Sequence, residues 1–150
     1  QWTLRIVGWD QNDYRAELEN ILASPENRNA RVEILGPLFG QAKEHEYLQA
    51  SAFVLPSFSE GLPMTILEAW AWRLPVLMTE QCNLPVGFKC RAAVRIPAER
   101  DFTSELEQFF SMDESERIDM GERGRELAER FYSWETIAEE YLHFYKDFMK

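Results

Sequence analysis

Histidine and cysteine are scarce in this chain, two of each among 150 residues. With only His45 and His143 available, no Ser-His-Asp or Cys-His catalytic set is convincing. His45 lies among Lys43, Glu44 and Glu46 and reads as solvated. Cys82 and Cys90 match no zinc-ligand spacing and are too few for a disulfide framework. They read as reduced thiols in a cytosol, with a single bridge left open. Basic residues are also short: 16 Lys and Arg face 26 Asp and Glu, for a net charge of −10. A nucleic-acid partner would need a basic face, so none is expected. No apolar run approaches the roughly 20 residues that span a bilayer. No charged-then-apolar leader opens the chain, so the expected location is cytoplasmic. The G-x-G-x-x-G fingerprint is missing, which counts against a dinucleotide oxidoreductase. Asp10, Asn12 and Asp13 are better explained as helix caps than as a cation site. An acidic cluster at strand ends is missing too, which discounts a phosphoacceptor signalling domain.

What is present is an ordinary globular balance, 45% hydrophobic and 28% charged, enough for one domain with a real core. Leu4 to Val7 closes a strand over residues 2–7 that Gly8 ends. A helix follows from Tyr14 to about Ala23, capped by Asn12 or Asp13, with Leu18, Ile21 and Leu22 on one face. Arg31 to Leu35 is a second strand, and Gly36-Pro37 turns the chain at its carboxyl end, where ligands gather in open α/β sheets. A short helix, Lys43 to Ala50, leads to the strand Phe53-Val54-Leu55. Further strands fall at Pro75 to Met78 and Ala92 to Ile96, with a loop from Thr79 to Lys89 between them. Helices close the chain over Asp101 to Phe110, Glu114 to Arg130 and Trp134 to Met149, the last capped by Ser133. Gly121 and Gly124 weaken the middle one. Ile137, Tyr141, Phe144 and Tyr145 form a stripe suited to core or domain packing. Alternating strands and helices predict an α/β class with a mainly parallel sheet.

The chain is organised around residues 53–72, FVLPSFSEGLPMTILEAWAW. After the strand, Pro56 opens a polar loop, and Pro63 suits the first position of a helix. Leu62 then falls at the cap with no side-chain acceptor, leaving the N–H groups of Met64, Thr65 and Ile66 without internal partners. Gly61 lets another molecule approach the backbone. Such an open terminus is suited to phosphate, and Thr65 adds a hydroxyl. On local pattern an earlier start capped by Ser59 fits equally well. Glu60 lies in the loop. Glu68 lies about one and a half turns into an otherwise apolar helix, where a buried carboxylate needs a partner and a solvated one does not.

Glu60-Gly61-Leu62-Pro63 followed by Glu68-Ala69-Trp70-Ala71 resembles the E-x7-E signature of retaining GT-B glycosyltransferases of the glycogen-synthase-like group (group 1, family 4 type). Leu55-Pro56-Ser57, Leu74-Pro75-Val76, Leu4-Arg5-Ile6-Val7-Gly8 and Phe131-Tyr132-Ser133-Trp134-Glu135 fit the same pattern. Two positions depart from it: Arg73 stands where the family carries Gly, and Val86 where an acidic residue is usual. The resemblance implies that residues 1–150 form a partial, carboxyl-terminal, nucleotide-sugar donor-binding Rossmann-like domain. Its first strand and helix, with a basic pair, are expected to be missing, as is the amino-terminal acceptor domain. That would leave the strands at Leu4–Val7 and Phe53–Leu55 each with an unpaired edge. The resemblance further implies a hexosyltransferase acting with retention on a donor such as a UDP-sugar. Glu60 would hold the donor sugar's hydroxyls as the catalytic carboxylate, and Glu68 the ribose hydroxyls. Gly61, Leu62, Pro63, Met64 and Thr65 would surround the diphosphate, and Gly36 and Pro37 would lie near the base. No metal and no cofactor beyond the donor are implied. Peripheral membrane contact of the whole enzyme stays open. The fragment alone is expected to be inactive. A non-catalytic α/β interaction module that kept the fold is the alternative.

Overall fold

The computed structural model describes residues 2–149. Strands and helices alternate: β1 Leu4–Val7, α1 Tyr14–Leu22, β2 Val32–Leu35, α2 Gly40–Gln49, β3 Phe53–Leu55, α3 Met64–Ala71, β4 Val76–Met78, α4 Pro85–Lys89 and β5 Ala93–Arg95. Three helices then run in succession: α5 Thr103–Ser111, α6 Glu114–Tyr132 and α7 Trp134–Phe148. All strand pairing is parallel, as alternation predicts. The strands divide into two sheets, β1-β2 and β3-β4-β5. β1 bonds only β2 and β3 bonds only β4, so each keeps an unpaired edge among the described residues. The chain forms two compact units, one up to Glu46 and one from Tyr47 onward.

The first unit holds no fully buried residue among those described. Its order rests on the ladder from Leu4–Val32 to Val7–Leu35 and on Arg5, which bonds Glu33 at 3.1 Å and Glu46 at 3.0 Å. Trp9 and Phe39 place their rings 6.0 Å apart. The cap of α1 differs from expectation. Asp13 occupies the cap position at φ 58° without a side-chain bond, and Asp10 accepts the Arg15 N–H at 3.1 Å instead.

The second unit holds the core. β4 is buried along its whole length, as a central parallel strand must be. Trp70 of α3 is fully buried, and its indole N–H donates to the Ala92 carbonyl at 3.2 Å. Two glycines make room for it. A Cβ at Gly87 would lie 2.8 Å from Trp70 Cζ2, and one at Gly124 would lie 2.3 Å from Trp70 Cδ1. Gly121 lets α6 lie against the end of α3, since its Cβ would fall 2.0 Å from the Arg73 carbonyl oxygen. The two glycines of α6 therefore do more than weaken a helix: they set its distance from α3.

That helix end is a Schellman turn. The Arg73 N–H donates to Trp70 at 2.9 Å and the Leu74 N–H to Ala69 at 2.9 Å, with Arg73 left-handed at φ 57°. The altered end expected from arginine in a glycine position is thus a glycine conformation forced on arginine. α4 ends the same way. Arg91 sits at φ 56°, with N–H bonds from Arg91 to Phe88 at 3.1 Å and from Ala92 to Gly87 at 2.8 Å. α6 secures both ends. Arg125 Nη1 donates to the Ala71 carbonyl at 2.5 Å, and Arg123 Nε to the Arg91 carbonyl at 2.9 Å.

Several boundaries depart from the sequence reading. Residues 79–89 hold a 3-10 turn at Glu80–Cys82 and α4 in place of an open loop. Pro85 lies in the first turn of α4, where its missing N–H costs nothing, and Asn83 at φ 55° turns the chain between the two. α2 begins earlier, at Gly40, and α5 later, at Thr103. The cap of α7 is as expected, with Ser133 accepting the Thr136 N–H at 3.1 Å. Tyr141, Phe144 and Tyr145 on α7 are mostly exposed, so they are not core. Cys82 is buried and Cys90 exposed, both free thiols. Among the described residues, no helix is long and apolar enough to cross a membrane.

The close approach of α6 inverts the usual effect of alanine. On an exposed helix Gly→Ala gains about 1 kcal/mol. Gly121→Ala is expected to lose roughly 1–3 kcal/mol through overpacking, measured by urea denaturation. Arg73→Gly is expected to gain about 1 kcal/mol in the same assay by relieving the left-handed residue. Its ion pair to Glu122 at 3.0 Å joins two half-exposed side chains and offsets little.

Candidate active site

The loop after β3 is lashed to the Thr79–Asn83 turn. The Glu60 N–H donates to the Gln81 carbonyl at 2.9 Å, and the Asn83 side-chain amide donates to the Glu60 carbonyl. Thr79, fully buried, donates its hydroxyl to the Ser57 carbonyl at 2.6 Å. Cys82 Sγ approaches the Leu55 carbonyl at 3.7 Å. Ser57 Oγ in turn donates to the Glu60 carboxylate at 2.7 Å. Glu60 is half-buried, with backbone and carboxylate both held.

α3 starts one residue later than the sequence suggests. Pro63 is its cap, extended at ψ 97°, and Met64 its first helical residue. No side chain caps it, so the start that relied on Ser59 is not the one adopted. The Ile66 and Leu67 N–H groups turn back to the Pro63 carbonyl at 3.0 and 3.4 Å. Ile66 is therefore satisfied, contrary to expectation. The Met64 and Thr65 N–H groups have no partner among the described residues, and both residues are exposed. Pro63 is buried beneath them, while Gly61 and Leu62 are exposed.

Glu68 is half-buried, and Tyr47 is a partner: its phenol donates to Glu68 Oε2 at 3.1 Å and lies 3.3 Å from the Thr65 carbonyl. Tyr47 is 8% exposed, and its ring lies 5.9 Å from that of Phe53. Burial first, and then the Glu68 charge and hydrogen bond, push the phenol well above its ordinary range. Tyr47 is therefore a protonated donor at neutral pH.

The structure brings Glu60, Gly61, Leu62, Pro63, Met64, Thr65 and Glu68 together on one loop and helix. Gly36 and Pro37 follow the carboxyl end of β2 in the other unit, Gly36 exposed and Pro37 half-buried. Sequence reasoning missed Tyr47, Thr79, Gln81 and Asn83. A large aromatic shortly before an apolar strand was the available sign for Tyr47. For Asn83 it was an asparagine, tolerant of left-handed backbone, shortly before a proline.

Parallel strands joined by crossover helices, with an uncapped helix start after β3, fit the Rossmann-like fold of the carboxyl-terminal domain of GT-B glycosyltransferases. Residues 1–110 match the family model described as glycosyl transferases group 1, and the chain belongs to that family. It is 29% identical over 136 residues to O-antigen chain mannosyltransferase B of Escherichia coli, covering 89% of this chain and 35% of that protein. A shorter match, 47% identical over 45 residues, joins it to the putative teichuronic acid biosynthesis glycosyltransferase TuaC of Bacillus subtilis (strain 168), covering 27% of this chain and 12% of that protein. The chain thus spans about a third or less of the curated relatives it matches. In fold it resembles sucrose-phosphate synthase from Thermosynechococcus elongatus, with TM-score 0.80 and 21% identity over 98% of this chain and 38% of that one. It also resembles the C-terminal domain of the group 1 family protein LpcC from Francisella tularensis, with TM-score 0.73 and 19% identity over 89% of this chain and 71% of that one.

The lash makes a local prediction. Asn83→Ala removes the bond to the Glu60 carbonyl and places alanine in a left-handed conformation. A loss of roughly 1–3 kcal/mol is expected. The Glu60 amide should exchange faster with solvent by NMR, while amides of β4 keep their protection.

Proposed function

We propose that this domain binds the nucleotide-diphosphate sugar donor of a hexosyltransferase that acts with retention on a glycan acceptor. The observation that carries the proposal is the uncapped start of α3. Two unpartnered N–H groups and the positive helix end lie between two held carboxylates. Diphosphate charge suits the amides of Met64 and Thr65, with Gly61, Leu62 and Pro63 forming the approach. The same dipoles would stabilise the departing diphosphate without a metal or other cofactor. Glu60 would accept from the donor sugar's hydroxyls and Glu68 from the ribose hydroxyls.

The names of the two curated relatives, with teichuronic acid and O-antigen in them, support a polysaccharide acceptor. The acceptor-binding half of the reaction is assigned to a further domain of the complete enzyme, and transfer to the two together.

Calorimetry with UDP and GDP tests the donor site directly. Binding by neither would turn the assignment to a non-catalytic interaction module. Glu68→Ala should weaken the nucleotide by roughly 1.5–3 kcal/mol, about 10- to 150-fold. In the complete enzyme Glu60→Ala should chiefly lower turnover, and the anomer released, followed by NMR, should retain the donor's configuration.

A further inference from the structure

We propose that Tyr47 is a positioning residue of the donor site. Its phenol fixes the Glu68 carboxylate against the Thr65 backbone, so that the site distinguishes a ribose from a sugar lacking its hydroxyls. This rests on the assignment of Glu68 to the ribose.

The geometry is specific. A glutamate at the surface of a helix rotates about three side-chain bonds, and a ligand must halt that motion on binding. Here Glu68 Oε2 is held at 3.1 Å by a donor 21 residues away in sequence. That donor cannot swing, because Tyr47 is 8% exposed and packs on Phe53. The same hydroxyl reaches the Thr65 carbonyl at 3.3 Å. One phenol, with one proton to give, therefore sits between the proposed ribose carboxylate and the carbonyl of the residue whose N–H belongs to the proposed diphosphate cradle, and the shorter distance is to the carboxylate. Burial keeps that phenol protonated. A carboxylate aimed before the ligand arrives contributes more to selectivity than one that must be ordered. A site built around a hydroxyl also rejects an analogue lacking it more strongly than an apolar site would.

The bond could serve only to pin Tyr47 to α3, and the readout must separate the two roles. Affinities of UDP, GDP and their 2′,3′-dideoxy forms are measured for the unaltered protein, Tyr47→Phe, Glu68→Gln and the double variant. The unaltered protein should prefer the ribose form by about 10-fold or more. Tyr47→Phe and Glu68→Gln should each flatten that preference, and the double variant should lose no more than Glu68→Gln alone. If Tyr47→Phe weakens both sugar forms equally, the phenol is structural and the inference fails. If Glu68→Gln flattens the preference but Tyr47→Phe keeps it, the inference fails while the donor site stands. If the unaltered protein binds no nucleotide, the donor-site assignment itself fails and takes the inference with it. The 13Cζ resonance of Tyr47 gives a second reading that needs no Tyr47 variant. It should move in Glu68→Gln, and an unmoved resonance would show that the pair is not formed in solution.

Discussion

The second unit depends on the burial of one indole. A tryptophan withdrawn from water removes about 150–250 Å² of surface, a gross gain of roughly 4–6 kcal/mol. Making room for Trp70 calls for small residues on two sides, and Gly87 and Gly124 supply them. The helical glycine at 124 costs about 1 kcal/mol against alanine, so burial outweighs the loss by a wide margin. The indole N–H meets the Ala92 carbonyl, so the polar atom is not stranded by the packing. α3, α4, α6 and the residue that leads into β5 are thereby fixed around one side chain.

From that anchoring follows the asymmetry of α3. Its carboxyl end is closed by a Schellman turn and by Arg125, a cation where the helix dipole is negative. Its amino end has no such closure, and the loop before it is held in place by another turn. The helix is thus rigid at one end and chemically open at the other. Glu60 and Glu68 are held by different partners, Ser57 for one and Tyr47 for the other.

The α/β class, the order of the elements and the central stretch were legible in the sequence because each depends on local chemistry. Phe53-Val54-Leu55 is an apolar run of strand length, and the observed β3 has those bounds. Ser133 is a good acceptor before a helix and is used as one. What was not legible depends on contacts across the fold. Nothing near Tyr47 shows that its hydroxyl meets a carboxylate two elements further on. Gly121 and Gly124 read as weak points until a partner helix occupies the space they leave. The Asp10 cap was obscured because Asp13, the usual choice by position, takes a left-handed backbone. Residues 79–89 read as loop because their helices are too short for periodicity to register.

The approach of α6 to α3 also sets how this sequence can drift over evolutionary time. Along α6 the buried small residues Gly121, Gly124 and Ala128 recur at intervals of three and four, whereas Glu122, Glu126 and Glu129 face outward. Outward positions tolerate change more readily, since their side chains meet water or, for Glu122 and Glu129, an arginine at the surface. At positions 121 and 124 a single added methyl group meets a carbonyl or an indole that has nowhere to go. Tolerance to substitution is therefore set by helical phase: one face of α6 admits nothing larger than hydrogen at two positions, and the other admits most side chains.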